Sequence, residues 1–343
     1  METITIKDIA KMCGVGVSTV SRAINDHPDI NQETKNIVMQ VIKENNYIPN
    51  NSARNLKRSD SRTIAVLIKG ISNPFFSSMI KIFENEIQRK KYSFVLHRVE
   101  EQEDEIDVAV ELVKEKRLRG IVFLGGHFTH TAEKLEQVKV PFVLSTIGVK
   151  ENNLINKGFA CVAVDDFKES YKMVDYLCKN GHKKIAIISS SISDESIGKR
   201  RLEGYKKALE DNHIFYNMNL VRTMREDIET YTMKNGYEVT KDLLESNEEF
   251  TAIYAISDSL AIGACRAIME AGKNVPNDYS VAGFDGLEIG LFYNPSLTTI
   301  RQPVEEMAFE TIKMLFDLIN KKTTPDSKIF PAKLVIAEST RKI

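Results

Sequence analysis

Residues 6–25, IKDIAKMCGVGVSTVSRAIN, divide into two short amphipathic pieces around a glycine-containing turn. Ile6, Ile9 and Ala10 share one face of a first helix expected over about residues 6–12. A second helix is expected over about 17–24, with Val20 and Ala23 turned inward and Ser18, Thr19, Ser21 and Arg22 polar. Two helices joined this way form a helix-turn-helix, whose second helix enters the major groove and offers its early residues to base edges. Helix pairs of Ala, Gly and Val also occur in many proteins without DNA, so the pattern alone leaves plain helix packing open.

Outward from this stretch, the first sixty or so residues carry only helical patterns, the later one marked by Ile37, Val38, Val41 and Ile42. From Thr63 the texture changes. TIAVLI (from Thr63), YSFVLHRV (Tyr92), GIVFLG (Gly120), PFVLST (Pro141), CVAVD (Cys161), KIAIIS (Lys184), TAIYAIS (Thr251) and YSVAGFD (Tyr279) read as strands separated by amphipathic helices. That rhythm is the one of βα units in parallel sheets, and eight runs are more than one small sheet holds, so two α/β lobes are expected. Periodicity does not draw the boundary between them.

A chain of 343 residues with 42% hydrophobic residues can bury a core in each domain. The first residues lack a basic stretch followed by an apolar run, and no run approaches the ~18 residues of a membrane span, so a cytoplasmic protein without membrane contact is expected. The cysteines Cys13, Cys161, Cys178 and Cys265 are far apart and form no C-x-x-C, which suits reduced structural thiols. A net charge of −1 excludes any whole-protein signature of nucleic-acid binding. Between Tyr47 and Arg62, however, Arg54, Lys57, Arg58 and Arg62 stand against Asp60 alone; charge by itself would equally fit a solvated linker.

Several separated motifs resemble one family. TIKDIAKMCGVGVSTVSRAIN, Gln32-Glu33-Thr34, Tyr47-Ile48-Pro49-Asn50, Ala53-Arg54-Asn55-Leu56, Ile71-Ser72-Asn73-Pro74-Phe75-Phe76, Arg201-Leu202-Glu203-Gly204-Tyr205, Gly283-Phe284-Asp285 and Leu297-Thr298-Thr299-Ile300-Arg301-Gln302-Pro303 resemble the LacI/GalR regulators, in order and over nearly the whole chain. The resemblance implies an N-terminal all-α helix-turn-helix headpiece (1–49) with a hinge helix and linker (50–62), followed by a two-lobed α/β core (63–343) like the periplasmic binding proteins. The lobes are expected at about 63–162 plus 291–323 and 163–290 plus 324–343.

In that family reading Arg22, Val17 and Ser18 contact bases. Arg22 can pair bidentately with guanine, about 1–3 kcal/mol of discrimination, whereas Val17 offers apolar contact and Ser18 bonds several bases weakly. Thr5, Thr19, Ser21, Asn25, Thr34 and Tyr47 match phosphate-contacting positions, with helix capping or plain surface as the alternative for each hydroxyl. Gly16 stands where relatives commonly carry Ser or Thr, which puts one backbone contact in doubt but leaves a tolerable cap. The resemblance makes Leu56 a minor-groove wedge, with Ala53 allowing close approach and Arg54 and Lys57 beside phosphates; packing of Ala53 and Leu56 on the core is the other reading.

For the core, ligands of parallel α/β sheets sit beyond the carboxyl ends of strands, which directs attention to the loops there. Asn73, Phe75 and Phe76 follow the first run, and one of the two rings is expected to face a sugar or planar ligand. His127, with His130, follows the third; without Cys or carboxylate partners the pair makes no metal site. Asp166, Arg201, Ser257 and Asp285 complete the expected effector site, Arg201 and Asp285 by their match to effector-binding positions in relatives. Asp258 either joins them or caps a helix. Gly125-Gly126 lacks dinucleotide-binding spacing, and no cofactor is expected.

Three classes compete for this chain. A transport binding protein explains the core but not the headpiece. An α/β enzyme needs a constellation such as G-x-S-x-G, a P-loop or H-E-x-x-H, none of which occurs. A transcription regulator, most simply a repressor whose operator affinity responds to a small sugar-like ligand, accounts for both parts. The chain ends at TRKI without a leucine heptad, so a homodimer on double-stranded operator DNA is expected.

Overall fold

The computed structural model describes residues 4–24, 26–45, 47, 62–100, 102–126, 130–148, 159–190, 197–322 and 327–343. Hinge positions Ala53, Arg54, Leu56 and Lys57, together with Asn25 and His127, lie outside the described residues. The chain forms two units, Met1–Ser61 and Arg62–Ile343.

In the first unit α1 (Ile6–Met12), α2 (Val17–Ile24) and α3 (Gln32–Glu44) surround a small core of Ile9, Ala10, Val20, Ala23 and Val38. Both starts that carry a side-chain cap follow simple chemistry. Thr5 and Asp8 exchange backbone and side-chain hydrogen bonds in a capping box, and Asn31 Oδ1 accepts from the Glu33 and Thr34 amides at 2.8 and 3.4 Å. Gly14, at φ +65°, turns the chain between α1 and α2 in a conformation that disfavours any side chain.

In the second unit the chain runs β1 (Thr63–Ile68), α4 (Phe75–Arg89), β2 (Ser93–Arg98), α5 (Glu105–Lys116), β3 (Gly120–Leu124), α6 (Ala132–Leu135), β4 (Phe142–Ser145) and β5 (Phe159–Val164). It continues through α7 (Asp166–Lys179), β6 (Ile185–Ser189), α8 (Ile197–Asp211), β7 (Val221–Thr223), α9 (Met233–Glu245), β8 (Ala252–Ala255), α10 (Asp258–Glu270), β9 (Ser280–Asp285) and α11 (Glu288–Phe292). The last elements are β10 (Thr298–Arg301), α12 (Val304–Ile319), β11 (Ser327–Phe330) and β12 (Lys333–Val335). Two sheets result, ordered β2-β1-β3-β4-β5-β11 and β7-β6-β8-β9-β10-β12. Every pairing is parallel except β10 with β12. Helices on both faces bury the central strands, which explains their unbroken apolar runs.

The lobe boundaries differ from expectation. β5 belongs to the first sheet through Val164, two residues past the expected end. β10, within the stretch 291–323 expected in the first lobe, pairs with β9 in the second sheet, while α12 packs against β3, β4 and β5 of the first. β11, expected in the second lobe, pairs with β5 in the first. The chain therefore crosses between lobes at 165, at 302–303 and at 331–332. In β10, Thr298 and Thr299 are buried, and their hydroxyls bond Thr340 at 2.8 Å and Asp258 at 2.6 Å, which fixes the strand in the second sheet. Among the described residues no helix is long and apolar enough to cross a membrane.

Candidate functional site

Both sheets have the order in which the winding direction reverses beside the first strand, and ligands settle in the crevice at that point. In the first lobe the crevice opens between the carboxyl ends of β1 and β3, at Lys69-Gly70 and Gly125-Gly126; in the second, between those of β6 and β8. A cleft of about 600 Å³ lies there, lined from the first lobe by Asn73, Phe75, Phe76 and Thr146 and from the second by Ser190, Arg201, Tyr231 and Asp285. Gly125 is required by geometry: at φ +70°, a Cβ there would stand 2.6 Å from the Lys69 carbonyl and 2.8 Å from the Phe76 ring. Gly198 likewise lets α8 approach Ser190, whose hydroxyl would lie 1.9 Å from an added Cβ.

Arg201 and Asp285 form the centre. Arg201, 5% exposed, donates from Nε to Asp166 at 2.8 Å and from Nη1 to the Ile256 carbonyl, and its guanidinium lies over Phe284 at 3.5 Å from the ring centroid. Burial opposes its charge, but Asp166 and Asp285 outweigh that and hold it above the ordinary arginine value. Asp285 accepts from Gln302 Nε2 at 2.9 Å and, across the cleft, from Asn73 Nδ2 at 3.4 Å. Burial pushes its carboxyl up to about 6, against the pull of Arg201 and of these two amides. First lobe, second lobe and crossover thus meet on one carboxylate. A second tie joins the lobes at the rim, where Glu229 accepts from Ser72 and lies 4.0 Å from Arg98.

Of the expected effector residues, Asn73, Phe75, Phe76, Arg201 and Asp285 converge on the cleft, and both rings border it rather than one. Asp166 and Ser257 are absent from its wall. Asp166 stands behind Arg201 and orients it; Ser257 is fully buried and caps α10, accepting from the Leu260 amide at 3.3 Å. Asp258 is not the cap: its carboxylate accepts from Thr299 Oγ1 and from the Leu287 amide, both at 2.6 Å. His130 does not line the cleft either, its Nε2 lying 3.3 Å from Asp104. Sequence reasoning missed Thr146, Ser190, Gln302 and Tyr231. The first two directly end strands that were recognised, so the carboxyl-end rule could have found them. Tyr231 follows β7, a three-residue strand too short to carry periodicity.

On the headpiece, Val17, Ser18 and Arg22 are exposed on α2, Ser18 and Arg22 one turn apart, opposite buried Val20 and Ala23. Thr19, Ser21, Thr34 and Tyr47 are half-buried, and Tyr47 packs against the small core. The Thr5 hydroxyl already donates to Asp8 at 2.6 Å, so any phosphate contact by its side chain competes with the capping box.

Comparison with known proteins follows the same division. Residues 5–50 match the bacterial regulatory proteins of the lacI family, and residues 174–340 match the periplasmic binding protein-like domain. The chain is 40% identical over 339 residues to the HTH-type transcriptional regulator MalR of Clostridium butyricum, covering 97% of this chain and 98% of that one. It is 31% identical over 340 residues to the HTH-type transcriptional repressor PurR of Pasteurella multocida, with 98% of each covered. Among solved structures, the lac repressor dimer bound to operator and the anti-inducer ONPF superimposes with TM-score 0.77 at 24% identity, covering 99% of this chain and 100% of that one. A LacI family regulator from Enterococcus faecium with bound ribose does so with TM-score 0.69 at 27% identity, covering 82% and 99%.

Proposed function

The chain belongs to the lacI family of bacterial regulatory proteins, and from that premise we propose that it represses transcription from an operator whose affinity is set by a small sugar-like molecule in the interlobe cleft. The observation that carries this reading is the convergence of Asn73, Arg201, Gln302 and Asp285 on one cross-cleft network. A ligand that enters must rearrange contacts between the lobes, and it shifts DNA binding by the difference in its affinity for the two arrangements, about 1–3 kcal/mol in typical couplings. Val17, Ser18 and Arg22 read bases; Thr5, Thr19, Ser21, Asn25, Thr34 and Tyr47 position the headpiece on phosphates; Leu56 wedges the minor groove, with Ala53, Arg54 and Lys57 beside it.

The active species is a homodimer. Met269, Ile289, Leu291 and Phe292 are exposed apolar residues on α10 and α11, with Phe292 81% exposed, and a second copy would cover them. The ribose in the Enterococcus faecium regulator supports a sugar-like ligand here. The test is fluorescence anisotropy on DNA selected from a random pool, with and without a ligand found by thermal shift. Asp285→Ala should lose the ligand response, while operator affinity without ligand shifts only by the few-fold change that loss of the Asn73–Asp285 bond between the lobes brings. An unaltered response would place the effector elsewhere, and loss of folding would make Asp285 a structural residue.

A further inference from the structure

Resting on the reading that the effector occupies the cleft, we propose that the cleft selects a neutral, hydroxyl-rich molecule and rejects the same molecule once it is phosphorylated. Among the described residues three cations line the cleft, and each already faces carboxylates of the protein. Lys69, its side chain 11% exposed, lies 3.4 Å from Glu105 Oε2 and donates to the Glu103 carbonyl at 2.9 Å. Arg201 has Asp166 at 2.8 Å and Asp285 at 3.9 Å. Arg225 forks onto Asp227 through two 3.1 Å bonds, with Asp242 3.6 Å from its remaining nitrogen. Glu226 and Asp285 line the same wall. A phosphate moved here from water loses its hydration and finds no cation in surplus, which is the condition under which a buried charge is costly.

What the wall does offer is neutral. Thr146 Oγ1 and Ser190 Oγ are buried in the cleft lining without a hydrogen-bond partner among the described residues. They follow β4 and β6, one in each lobe, so a polyol that bonds both ties the lobes together. A buried polar group left unsatisfied costs about 1–3 kcal/mol, and a ligand hydroxyl that fills either site recovers part of it. Behind the wall, next to Lys69 and Gly126, Glu105 Oε1 is also buried without a partner among the described residues and lies 3.5 Å from where a side chain on Gly126 would begin. A hydroxyl reaching past that glycine can donate to it; a phosphate oxygen would be repelled.

The experiment is calorimetric titration of the full chain with matched pairs: glucose, ribose, cellobiose and maltose, each against its terminal monophosphate. At least one neutral sugar should bind, and its phosphate should bind roughly 100-fold more weakly, as like-charge contacts in a desolvated site require. Glu105→Gln releases the Lys69 charge and should narrow that gap. Thr146→Val and Ser190→Ala should each weaken the neutral sugar roughly 10-fold, with no loss of thermal midpoint in its absence, because neither hydroxyl holds a protein atom. Equal or tighter binding of the phosphate, or an unchanged gap in Glu105→Gln, overturns the proposal. If none of the eight compounds binds, the proposal also falls, and specific DNA binding by the same preparation then shows whether the regulator reading stands without it.

Discussion

Asp258 and Arg22 illustrate two kinds of residue, one whose role was hidden in the sequence and one whose place was open to view. Burial, reinforced by Asp285, raises the Asp258 carboxyl from 3.8 to about 8. Between those values the folded chain binds a proton that the unfolded chain releases, so stability falls as pH rises through the window and levels off above it. Asp258→Asn removes this dependence. Its penalty in urea unfolding should be largest near pH 5 and shrink toward pH 8.5, by an amount on the order of a few kcal/mol; parallel pH profiles for the two proteins would show that Asp258 stays ionised throughout. From sequence, Asp258 stood as a helix cap or a ligand group, and it is neither: its partners Thr299 and Leu287 come from segments that only the folded sheet brings near. Arg22 was legible because a helix has a face, and an exposed Arg opposite Val20 and Ala23 needs no tertiary information. Arg22→Ala should cost about 1–3 kcal/mol per half-site and relax one position of the selected operator. An unchanged sequence preference would mean that another residue reads that base.

Elements were legible where hydrophobic period or run length was unbroken. The eight recognised strand runs all became strands, and the α1 and α2 bounds agree with those read from the sequence. The four that escaped, β7, β10, β11 and β12, are short, sit at edges or hide polar side chains that bond internally. Without β10 and β11 the lobe boundaries could not be drawn, because those strands fix where the chain crosses. The hinge lies at this scale too. On the proposal that Leu56 wedges the minor groove, Leu56→Ala should leave ligand binding by the core intact while lowering operator affinity and the DNA bend angle together, because such a wedge creates the bend that brings further contacts. A normal bend in that variant, measured by gel mobility of circularly permuted fragments, would return Leu56 to packing.

At the scale of the molecule, the two lobes are held in one arrangement by the Asn73–Asp285 bond inside the cleft and by Glu229 at its rim. Glu229 is about half exposed, so its share is small. Glu229→Ala should weaken the ligand roughly 2- to 5-fold by depopulating the closed form, and linkage requires operator affinity to respond in step. A ligand affinity unmoved by the substitution, in titrations with and without operator, would show that the rim does not govern closure. The three crossings have a further consequence, for synthesis. β10 and β12 complete the second sheet, and α12 and β11 complete the first, all from residues 298–335. On the ribosome neither lobe can close its sheet until nearly the entire core has emerged, although the headpiece, contiguous in sequence, can fold as soon as it clears the tunnel. A truncated polypeptide would therefore carry a finished DNA-reading head on two unfinished sheets, and a cell would gain from degrading such fragments before they occupy operators they cannot release.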